Sequence, residues 1–329
     1  MHVLLTGATG FVGSHILDVL RERAIPTVLL LRRASSRTLI QRHLANVTIV
    51  EGDLTQPERL QAAMAQATHV IHCAGLTKTL RIPDFYAINQ QGTRNVVNAA
   101  NQAGNQIQRF IHISSLAAAG PATPDHPKLE SDTPSPVSHY GKSKLGGETE
   151  VRAHCHSPHT IIRPSAVYGP RDAEFLRLFK AVQAHLLPSF GGGKQALSLV
   201  YARDLALAVV HCLDCPSAEN KTYFVAAPEM ISANQMAAEV ANQLHTWTLP
   251  LPLPVPLLYP VCAAQELISR LTGKANVLSR QKYAELAAPG WVCSAAKLKS
   301  DTGFEATTTF KVGAAATLLW YRAEQWMRC

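Results

Sequence analysis

The start of the chain constrains the fold most, because it predicts a strand, a glycine-rich turn and a helix in direct succession. The apolar run His2–Thr6 is typical of a short strand. Gly7, Gly10 and Gly13 follow it, and apolar residues then recur at helical spacing up to Leu20. Glycines so placed let a phosphate approach the main chain, and the free N–H groups at the start of the helix bind it. The stretch therefore predicts a site for the pyrophosphate of a dinucleotide.

Strand and helix patterns go on alternating through the first half of the chain. Further strands are predicted at Pro26–Leu31, Val47–Val50, His69–Gly75 and Arg109–Ser114, and the longest helix between them covers about 85–103. Such alternation is typical of a parallel sheet with helices on both faces. We therefore predict an α/β class protein with a doubly wound parallel sheet, a Rossmann fold. Its ligand is expected at the carboxyl ends of the strands.

The alternation breaks down near residue 165. We predict a dinucleotide-binding domain over 1–165 and a smaller, mainly substrate-binding lobe over 166–329, with some elements returning to the main sheet. The elements predicted for this second part are a helix over 173–186, a turn over 191–195, a strand over 197–201, a helix over 203–213, a strand over 222–226 and a helix capped by Ser232.

A proline-rich segment over 249–260 has proline at alternate positions, which favours extended or polyproline II backbone and excludes a regular membrane-spanning helix. Apolar residues then recur at helical spacing, namely Leu257, Val261, Ala264, Ile268 and Leu271. We interpret this stripe as packing on the core. A lid over an apolar substrate and a surface that rests on a membrane are the alternatives.

Three arginines follow the second predicted strand, where folds of this class meet the adenosine ribose. They are Arg32, Arg33 and Arg37, and no Asp or Glu occurs between Glu22 and Glu51. A carboxylate would accept a hydrogen bond from a free ribose 2′-hydroxyl, whereas a guanidinium binds a 2′-phosphate. We therefore predict a preference for NADP(H), with NAD as the alternative and Arg32 as the main phosphate ligand. A solvated helix start is the other interpretation.

The bulk composition excludes several classes of protein. The chain has 329 residues, is 47% hydrophobic and carries a net charge of +8 that is mostly scattered, so we expect a globular protein with no nucleic-acid partner. The seven cysteines suggest no disulfide framework, and Cys212, Cys215 and the His-Cys-His run at 154–156 are too isolated for a zinc site. We expect no metal, no targeting leader and a reducing, cytoplasmic compartment.

Chemistry is predicted from a tyrosine and a lysine that lie four residues apart. Tyr140 and Lys144 would share one face of a helix, and the lysine charge would favour the phenolate. Ser115 ends the fifth predicted strand, where its hydroxyl can bind a carbonyl or alcohol oxygen. A serine, a tyrosine and a lysine beside a dinucleotide indicate hydride transfer, in which Tyr140 moves the proton.

Taken together, these motifs closely resemble the extended short-chain dehydrogenase/reductase family, also called the NAD-dependent epimerase/dehydratase family. The matching pieces are TGATGFVG at 6–13, GDLT at 52–55, HCAG at 72–75, NQQGTRNV at 89–96, ISSLAAAG at 113–120, YGKSK at 140–144, RPSAVYGPRD at 163–172 and VYARDLA at 200–206. The resemblance implies a catalytic triad of Ser115, Tyr140 and Lys144. With the glycine turn and the arginines, it places the cofactor against Gly7, Thr9, Gly10, Phe11, Val12, Gly13, Arg32, Arg33, Asp53, Leu54, Ala74, Gly75, Asn89, Ser114, Tyr140, Lys144, Pro164 and Val167.

Departures from the family pattern bear on the substrate. Sugar-nucleotide dehydratases of the family carry an Asp-Glu pair directly after the catalytic hydroxyl, where this chain has Leu116 and Ala117. Nucleotide-sugar epimerases often carry an Arg-Asp pair, for the substrate diphosphate, where this chain has Leu197 and Ser198. These absences favour a substrate with little charge, although Arg171 or Arg177 could replace the missing arginine.

The C-terminal region resembles that of sterol-dehydrogenase-like and dihydroflavonol-reductase-like members. We therefore predict an NADP(H)-preferring oxidoreductase that acts on a carbonyl or secondary alcohol of a mostly apolar small molecule, sterol-like, flavonoid-like or a lipid. An NAD-dependent nucleotide-sugar epimerase is the first alternative, and a non-catalytic dinucleotide-sensing protein is the second. Relatives commonly dimerise through the helices that carry Asn89 and Tyr140, so a homodimer is expected by resemblance alone.

Overall fold

A seven-stranded parallel sheet forms the centre of the protein. The computed structural model describes residues 1–190, 193, 195–272 and 280–327. The strands of the sheet are β1 (Val3–Thr6), β2 (Thr27–Leu31), β3 (Thr48–Glu51), β4 (His69–His72), β5 (Arg109–Ile113), β6 (His159–Pro164) and β10 (Lys221–Val225). They lie side by side in the order β3-β2-β1-β4-β5-β6-β10, with every neighbouring pair parallel. This is the predicted doubly wound Rossmann fold.

Helices cover both faces of the sheet, which is why every side chain of its inner strands β1, β2, β4 and β5 is buried. They are α1 (Phe11–Glu22), α2 (Pro57–Met64), α3 (Ile82–Tyr86), α4 (Gly92–Gln102), α5 (Leu116–Ala119), α6 (His139–His154), α8 (Ala202–His211) and α12 (Ala296–Thr302). Val3 and Leu5 pack in one cluster with α1 and α8, and Leu4 packs in the other with α2 and α4. The order of strands reverses between β1 and β4, and a ligand crevice is expected at that reversal.

The long helix predicted over 85–103 is interrupted. α3 and α4 are joined by a π-helical turn at Ala87–Gln91, which adds one residue per turn and buries Asn89 completely. Periodicity alone could not locate this turn, because its extra residue shifts the helical register only locally.

The second half builds a lobe around a smaller sheet. Its strands are β7 (Ala166–Tyr168), β9 (Ala196–Tyr201), β11 (Met230–Ser232) and β13 (Gly290–Trp291), while β8 (Leu186–Phe190) pairs with β12 (Leu249–Leu253). Its helices are α7 (Phe175–Gln183), α9 (Ala233–Gln243), α10 (Leu258–Thr272), α11 (Arg280–Leu286) and α13 (Phe310–Ala323). Ser232 caps α9 in a capping box with Gln235, as predicted. The turn predicted over 191–195 lies largely outside the described residues.

The proline-rich segment folds as predicted in outline, with an extended strand at β12 and a helix at α10. The interpretation of the helical stripe as core packing is wrong, however. Leu257, Ile268 and Leu271 are 49%, 50% and 80% exposed. α10 is anchored instead by the buried residues Leu258 and Cys262, which lie on another face of the helix. No helix in the described part of the chain is long and apolar enough to cross a membrane.

Candidate active site

A cavity of about 940 Å³ opens at the carboxyl ends of β1, β4 and β5, between the sheet and the lobe. It collects all three predicted catalytic residues and most of the predicted cofactor ligands. Those that line it are Gly7, Thr9, Gly10, Phe11, Val12, Gly13, Arg32, Asp53, Leu54, Ala74, Gly75, Ser114, Ser115, Tyr140, Lys144, Pro164 and Val167. Arg33 and Asn89 are the two predicted ligands that do not line it.

The glycine turn after β1 has no room for side chains. Gly7 has a φ of +77°, and a Cβ on it would lie 2.6 Å from the backbone nitrogen of Ala74. A Cβ on Gly13 would lie 2.1 Å from the carbonyl oxygen of Gly7. Gly10 is the N-cap of α1, and no side chain caps this helix. The first N–H groups of α1 therefore stay available at the cavity wall, which fits the pyrophosphate of a dinucleotide.

Of Arg32 and Arg33, the two arginines predicted to bind a phosphate, Arg32 is the one that faces the cavity, at the end formed after β2. Arg32 is exposed and lines the cavity after β2. Arg33 has a side chain 93% exposed, and its Nε lies 3.9 Å from a carboxylate oxygen of Glu51. Asp53 also lines the cavity, and its carboxylate accepts hydrogen bonds from the backbone and hydroxyl of Thr55 at 3.0 Å. Arg32 can therefore contact a group bound in the cavity, whereas Arg33 lies outside its lining.

Ser115 and Tyr140 meet at the opposite end of the cavity. Ser115 is the N-cap of α5, where its Oγ accepts a hydrogen bond from the backbone N–H of Ala117 at 3.1 Å. Tyr140 lies in the first turn of α6, which Ser138 caps. Burial raises the pKa of the Tyr140 phenol to about 12, and a hydrogen bond with Ser115 acts in the opposite direction. The phenol is thus protonated at neutral pH and can donate a proton.

Lys144 lies one helical turn after Tyr140 and is 4% exposed. Its Nζ donates to the carbonyl oxygen of Ile113 at 2.6 Å, and burial lowers its pKa to about 8. A Cβ on Gly75 would come within 3.6 Å of this nitrogen, so Gly75 leaves space in front of it. The ammonium is therefore held at the cavity wall by the end of β5.

Asn89 supports the site from behind the cavity wall. Its Oδ1 accepts from the backbone N–H of Leu76 at 2.7 Å. Its Nδ2 donates to the carbonyl oxygen of Leu76 and to the hydroxyl of Ser143, both at 2.9 Å. Asn89 thus ties the loop after β4 to the catalytic helix α6.

A buried ion pair fixes the strand ends next to Ser115 and Tyr140. Arg163 of β6 donates to Glu148 of α6 from Nε at 2.8 Å and from Nη2 at 2.7 Å, and Ser114 donates to the same carboxylate at 2.6 Å. Burial opposes ionisation of Glu148, but the hydrogen bonds and charge of Arg163 still lower the pKa of this carboxyl. The pair therefore locks α6 to the strands that carry Ser114 and Pro164.

A lysine to which no sequence pattern pointed reaches the site from the lobe. Lys282 of α11 lines the cavity, and its Nζ lies 5.1 Å from the ring centroid of Tyr140 and 2.6 Å from Glu285. Glu285 also accepts a hydrogen bond from the hydroxyl of Ser138, the N-cap of α6. No family motif contains Lys282, and it is distant from Tyr140 in the chain, so only the fold could bring the two together.

The two arginines considered as replacements for a diphosphate ligand are engaged within the protein. Arg171 has a φ of +74° and lines the cavity, but its guanidinium donates to the hydroxyl of Ser14 at 3.0 Å and to Asp18 at 2.7 Å. Arg177 pairs with Glu174 at 2.9 Å. Both side chains therefore hold the loop after β7 and the start of α7 in place.

Comparisons with known proteins agree with this geometry. The family model for the NAD dependent epimerase/dehydratase family matches residues 3–226. The ceramide reductase of Caulobacter vibrioides is 30% identical over 326 residues, which covers 99% of this chain and 96% of that protein. The UDP-glucose 4-epimerase of Vibrio cholerae is 29% identical over 290 residues, covering 84% of this chain and 86% of that protein.

A solved structure of a protein designated gox2253 superposes with a TM-score of 0.83, at 25% identity, over 99% of each chain. The predicted resemblance and fold are confirmed by these matches. The chain belongs to the NAD-dependent epimerase/dehydratase family and is an NAD(P)-dependent oxidoreductase of the short-chain dehydrogenase/reductase type.

Proposed function

We propose that the protein is a reductase or dehydrogenase that prefers NADP(H) and acts on a carbonyl or secondary alcohol of a lipid-like molecule. The observation that carries the proposal is the meeting of Ser115, Tyr140 and Lys144 at one end of a cavity whose other end is the glycine turn. The ceramide reductase relative, which matches nearly the whole chain, supports a lipid as the apolar substrate.

In the proposed reaction, Ser115 donates a hydrogen bond to the substrate oxygen and Tyr140 transfers its proton to that oxygen. Bound at the cavity wall, the nicotinamide would supply the hydride for reduction or accept it for oxidation. Lys144 would bind the nicotinamide ribose, and its positive charge favours the tyrosinate that remains after proton transfer. Lys282 of the lobe covers the ring of Tyr140, which limits the access of water to it.

The charges around the cavity favour a substrate without a diphosphate. The arginines among the described lining residues are Arg32, at the adenosine end, and Arg171, which is bound to Ser14 and Asp18. Two of the lysines that line the cavity have a carboxylate partner from the lobe. Lys78 pairs with Glu174 at 2.7 Å and Lys282 pairs with Glu285 at 2.6 Å. A diphosphate would have to break one of these pairs, whereas an alcohol, ketone or amide would not.

The preference for NADP(H) rests on Arg32. Its guanidinium is exposed at the cavity rim after β2, the position from which it can bind a ribose 2′-phosphate bidentately. Glu51, at the end of β3, pairs with Arg33.

The test measures reduction directly. Purified protein is mixed with NADPH and a ceramide-like lipid that bears a ketone on its long chain, presented in detergent micelles, and the loss of absorbance of the reduced cofactor is followed. We expect NADPH oxidation matched by formation of the hydroxyl lipid, with a steroid ketone as a second apolar substrate. Absence of turnover with every apolar ketone would overturn the proposal.

A nucleotide-sugar 4-epimerase is the second candidate, favoured by the Vibrio cholerae relative. Epimerisation oxidises and re-reduces the same carbon, so it consumes no cofactor overall. Incubation with UDP-glucose and analysis of the sugar products therefore separates the two candidates.

Two further expectations stay predictions. They are a homodimer formed through the helices of Asn89 and Tyr140 and a cytoplasmic location.

A further inference from the structure

α10 has two apolar faces, and only one of them is covered by the protein. Leu258 and Cys262 are completely buried, and Ser269 on the same side is 5% exposed. At 100° per residue, the residues turned away from this side form an apolar strip in which no side chain is charged. That strip contains Val261, Leu267, Ile268 and Leu271, which are 39%, 60%, 50% and 80% exposed, and Leu257, just before the helix, is 49% exposed. A helix that met only the core and water would be polar on this side.

The residues just before α10 in the chain are also apolar and exposed. Trp247, Leu249 and Leu251 precede α10 and are 63%, 52% and 38% exposed, and Tyr259 in the first turn of α10 is 49% exposed. We call this set and the strip on α10 the apolar face. A soluble monomer seldom exposes so many large apolar side chains along one continuous segment, and such a surface marks contact with a partner.

The sequence of this segment indicates the kind of partner. Between residues 246 and 281 it has one acidic residue, Glu266, and three basic ones, Arg270, Lys274 and Arg280. A segment that combines apolar residues, tryptophan and tyrosine with an excess of basic residues is typical of those that lie in the interface of an anionic bilayer. Tryptophan and tyrosine suit that interface because each has an apolar ring and a polar group.

The helix that carries the strip also packs close to the cavity. α10 packs against α11, where the rings of Tyr259 and Tyr283 meet edge to face at 5.4 Å. Lys282, the residue before Tyr283, lines the cavity, and its ammonium lies over the ring of Tyr140. One helix therefore separates the exposed strip from the catalytic tyrosine.

From these observations we infer that the apolar face docks on the surface of an anionic phospholipid bilayer and brings the cavity mouth to the membrane. The docking itself follows from the surface alone. The further statement that a lipid substrate passes from the bilayer to Tyr140 rests on the proposed function. Docking of this kind is peripheral, since α10 lies along the surface and does not cross it.

The experiment is sedimentation of the full chain with sucrose-loaded vesicles of phosphatidylcholine, with or without phosphatidylglycerol. The docking variant combines Leu267→Ser, Ile268→Ser and Leu271→Ser. The matched control combines Val312→Ser and Leu319→Ser on α13, which are apolar and 60% and 66% exposed but lie outside the apolar face. All five side chains are largely exposed, so folding should be preserved and is checked by circular dichroism.

We expect the wild type and the control to pellet with the phosphatidylglycerol vesicles. The docking variant should bind these vesicles with an affinity at least roughly tenfold lower. Binding of the wild type should weaken as salt rises. If the wild type stays in the supernatant with both vesicles, or the docking variant binds as the wild type does, the inference is wrong. A wild-type dimer that the docking variant converts to a monomer would assign the face to a second copy and would also overturn it.

Activity distinguishes this inference from the proposed function. The docking variant should reduce a short-chain, water-soluble ketone as the wild type does, but should reduce a vesicle-embedded keto lipid more slowly. Vesicle binding without any ketone reduction would contradict the proposed function and leave docking intact. Reduction of micellar keto lipid without vesicle binding would contradict docking and leave the proposed function intact.

Discussion

The central sheet and helix α10 are both rich in leucine, isoleucine and valine, but these side chains are mostly buried in the sheet and largely exposed in α10. Every side chain of β1, β2, β4 and β5 is buried. In α10, the stripe that the sequence displays most clearly faces solvent, and Leu271 is 80% exposed. An apolar pattern thus reports that a surface avoids water, but only the neighbouring elements decide whether the protein itself covers it. Where it does not, the pattern indicates a partner.

The largest effect is expected on kcat, from a substitution in the cavity at the carboxyl ends of the central strands. Tyr140→Phe removes the proton donor and should lower kcat by about 10²–10⁴-fold, since general acid catalysis contributes that much. The dissociation constant for NADPH, measured by fluorescence titration, should stay nearly the same.

Tyr86→Phe is the matched control for this variant. The Tyr86 hydroxyl bonds to His139 at 3.0 Å, next to Tyr140 in the chain, but Tyr86 does not line the cavity. It should keep wild-type turnover. Undiminished kcat in Tyr140→Phe would remove Tyr140 from the mechanism.

A pair of identical substitutions compares the two regions directly. Ile111→Ala in β5 deletes a completely buried side chain and should lower the free energy of unfolding by about 2–5 kcal/mol. Ile268→Ala in α10 deletes a half-exposed one and should change it by less than about 0.5 kcal/mol. Urea denaturation of both variants measures the difference. Equal losses would mean that the α10 strip is covered in the folded protein.

The buried lysine should make stability depend on pH. Burial lowers the pKa of Lys144 to about 8 in the folded state, from 10.5 when unfolded. Between these values the unfolded chain binds more protons, so this group makes the protein more stable as pH rises from 8 to 10.5. The full contribution is on the order of 3 kcal/mol.

Lys144→Met tests this dependence without cofactor present. The free energy of unfolding of the variant, relative to wild type, should fall as pH rises through that window, because only the wild type gains stability there. A constant difference across the window would show that the folded and unfolded pKa values are the same.

The smallest predicted effect separates two adjacent arginines. Wild type should bind NADPH about 10- to 100-fold more tightly than NADH, because charge-assisted hydrogen bonds to the 2′-phosphate contribute about 1.5–3 kcal/mol each before screening. Arg32→Ala should remove most of that preference, whereas Arg33→Ala should keep it, since Arg33 points to Glu51 and away from the cavity. Equal affinities in wild type would leave the arginines as a solvated helix start.

The sequence predicted the sheet, the glycine turn and the common face of Tyr140 and Lys144 because each depends on local pattern. Alternating strands and helices leave few ways to arrange a parallel sheet, and the i, i+4 spacing of Tyr140 and Lys144 fixes their common face. Asn89 could not be placed in the same way. A π-helical turn directs it behind the cavity wall, where Leu76 and Ser143 use its hydrogen-bonding groups.

Two features of the lobe also could not be predicted, and the reason differs from that for Asn89. Lys282 reaches Tyr140 only through the packing of α11 on the N-terminus of α6, a contact between residues distant in sequence. The face of α10 that the protein covers is chosen by three positions, Leu258, Cys262 and Ser269, and one of them is polar. Periodicity therefore pointed to the stronger stripe, which is the exposed one.

The most direct test of the account follows a labelled hydride in a single turnover. NADPH with both hydrogens of the reacting nicotinamide carbon replaced by deuterium is mixed with excess protein and a ceramide-like keto lipid, and the product is analysed by mass spectrometry. We expect one deuterium at the new carbinol carbon for each NADPH oxidised, and no label transfer in Tyr140→Phe on the same timescale. Unlabelled lipid and unoxidised cofactor, together with interconversion of UDP-glucose and its 4-epimer by the same preparation, would contradict it.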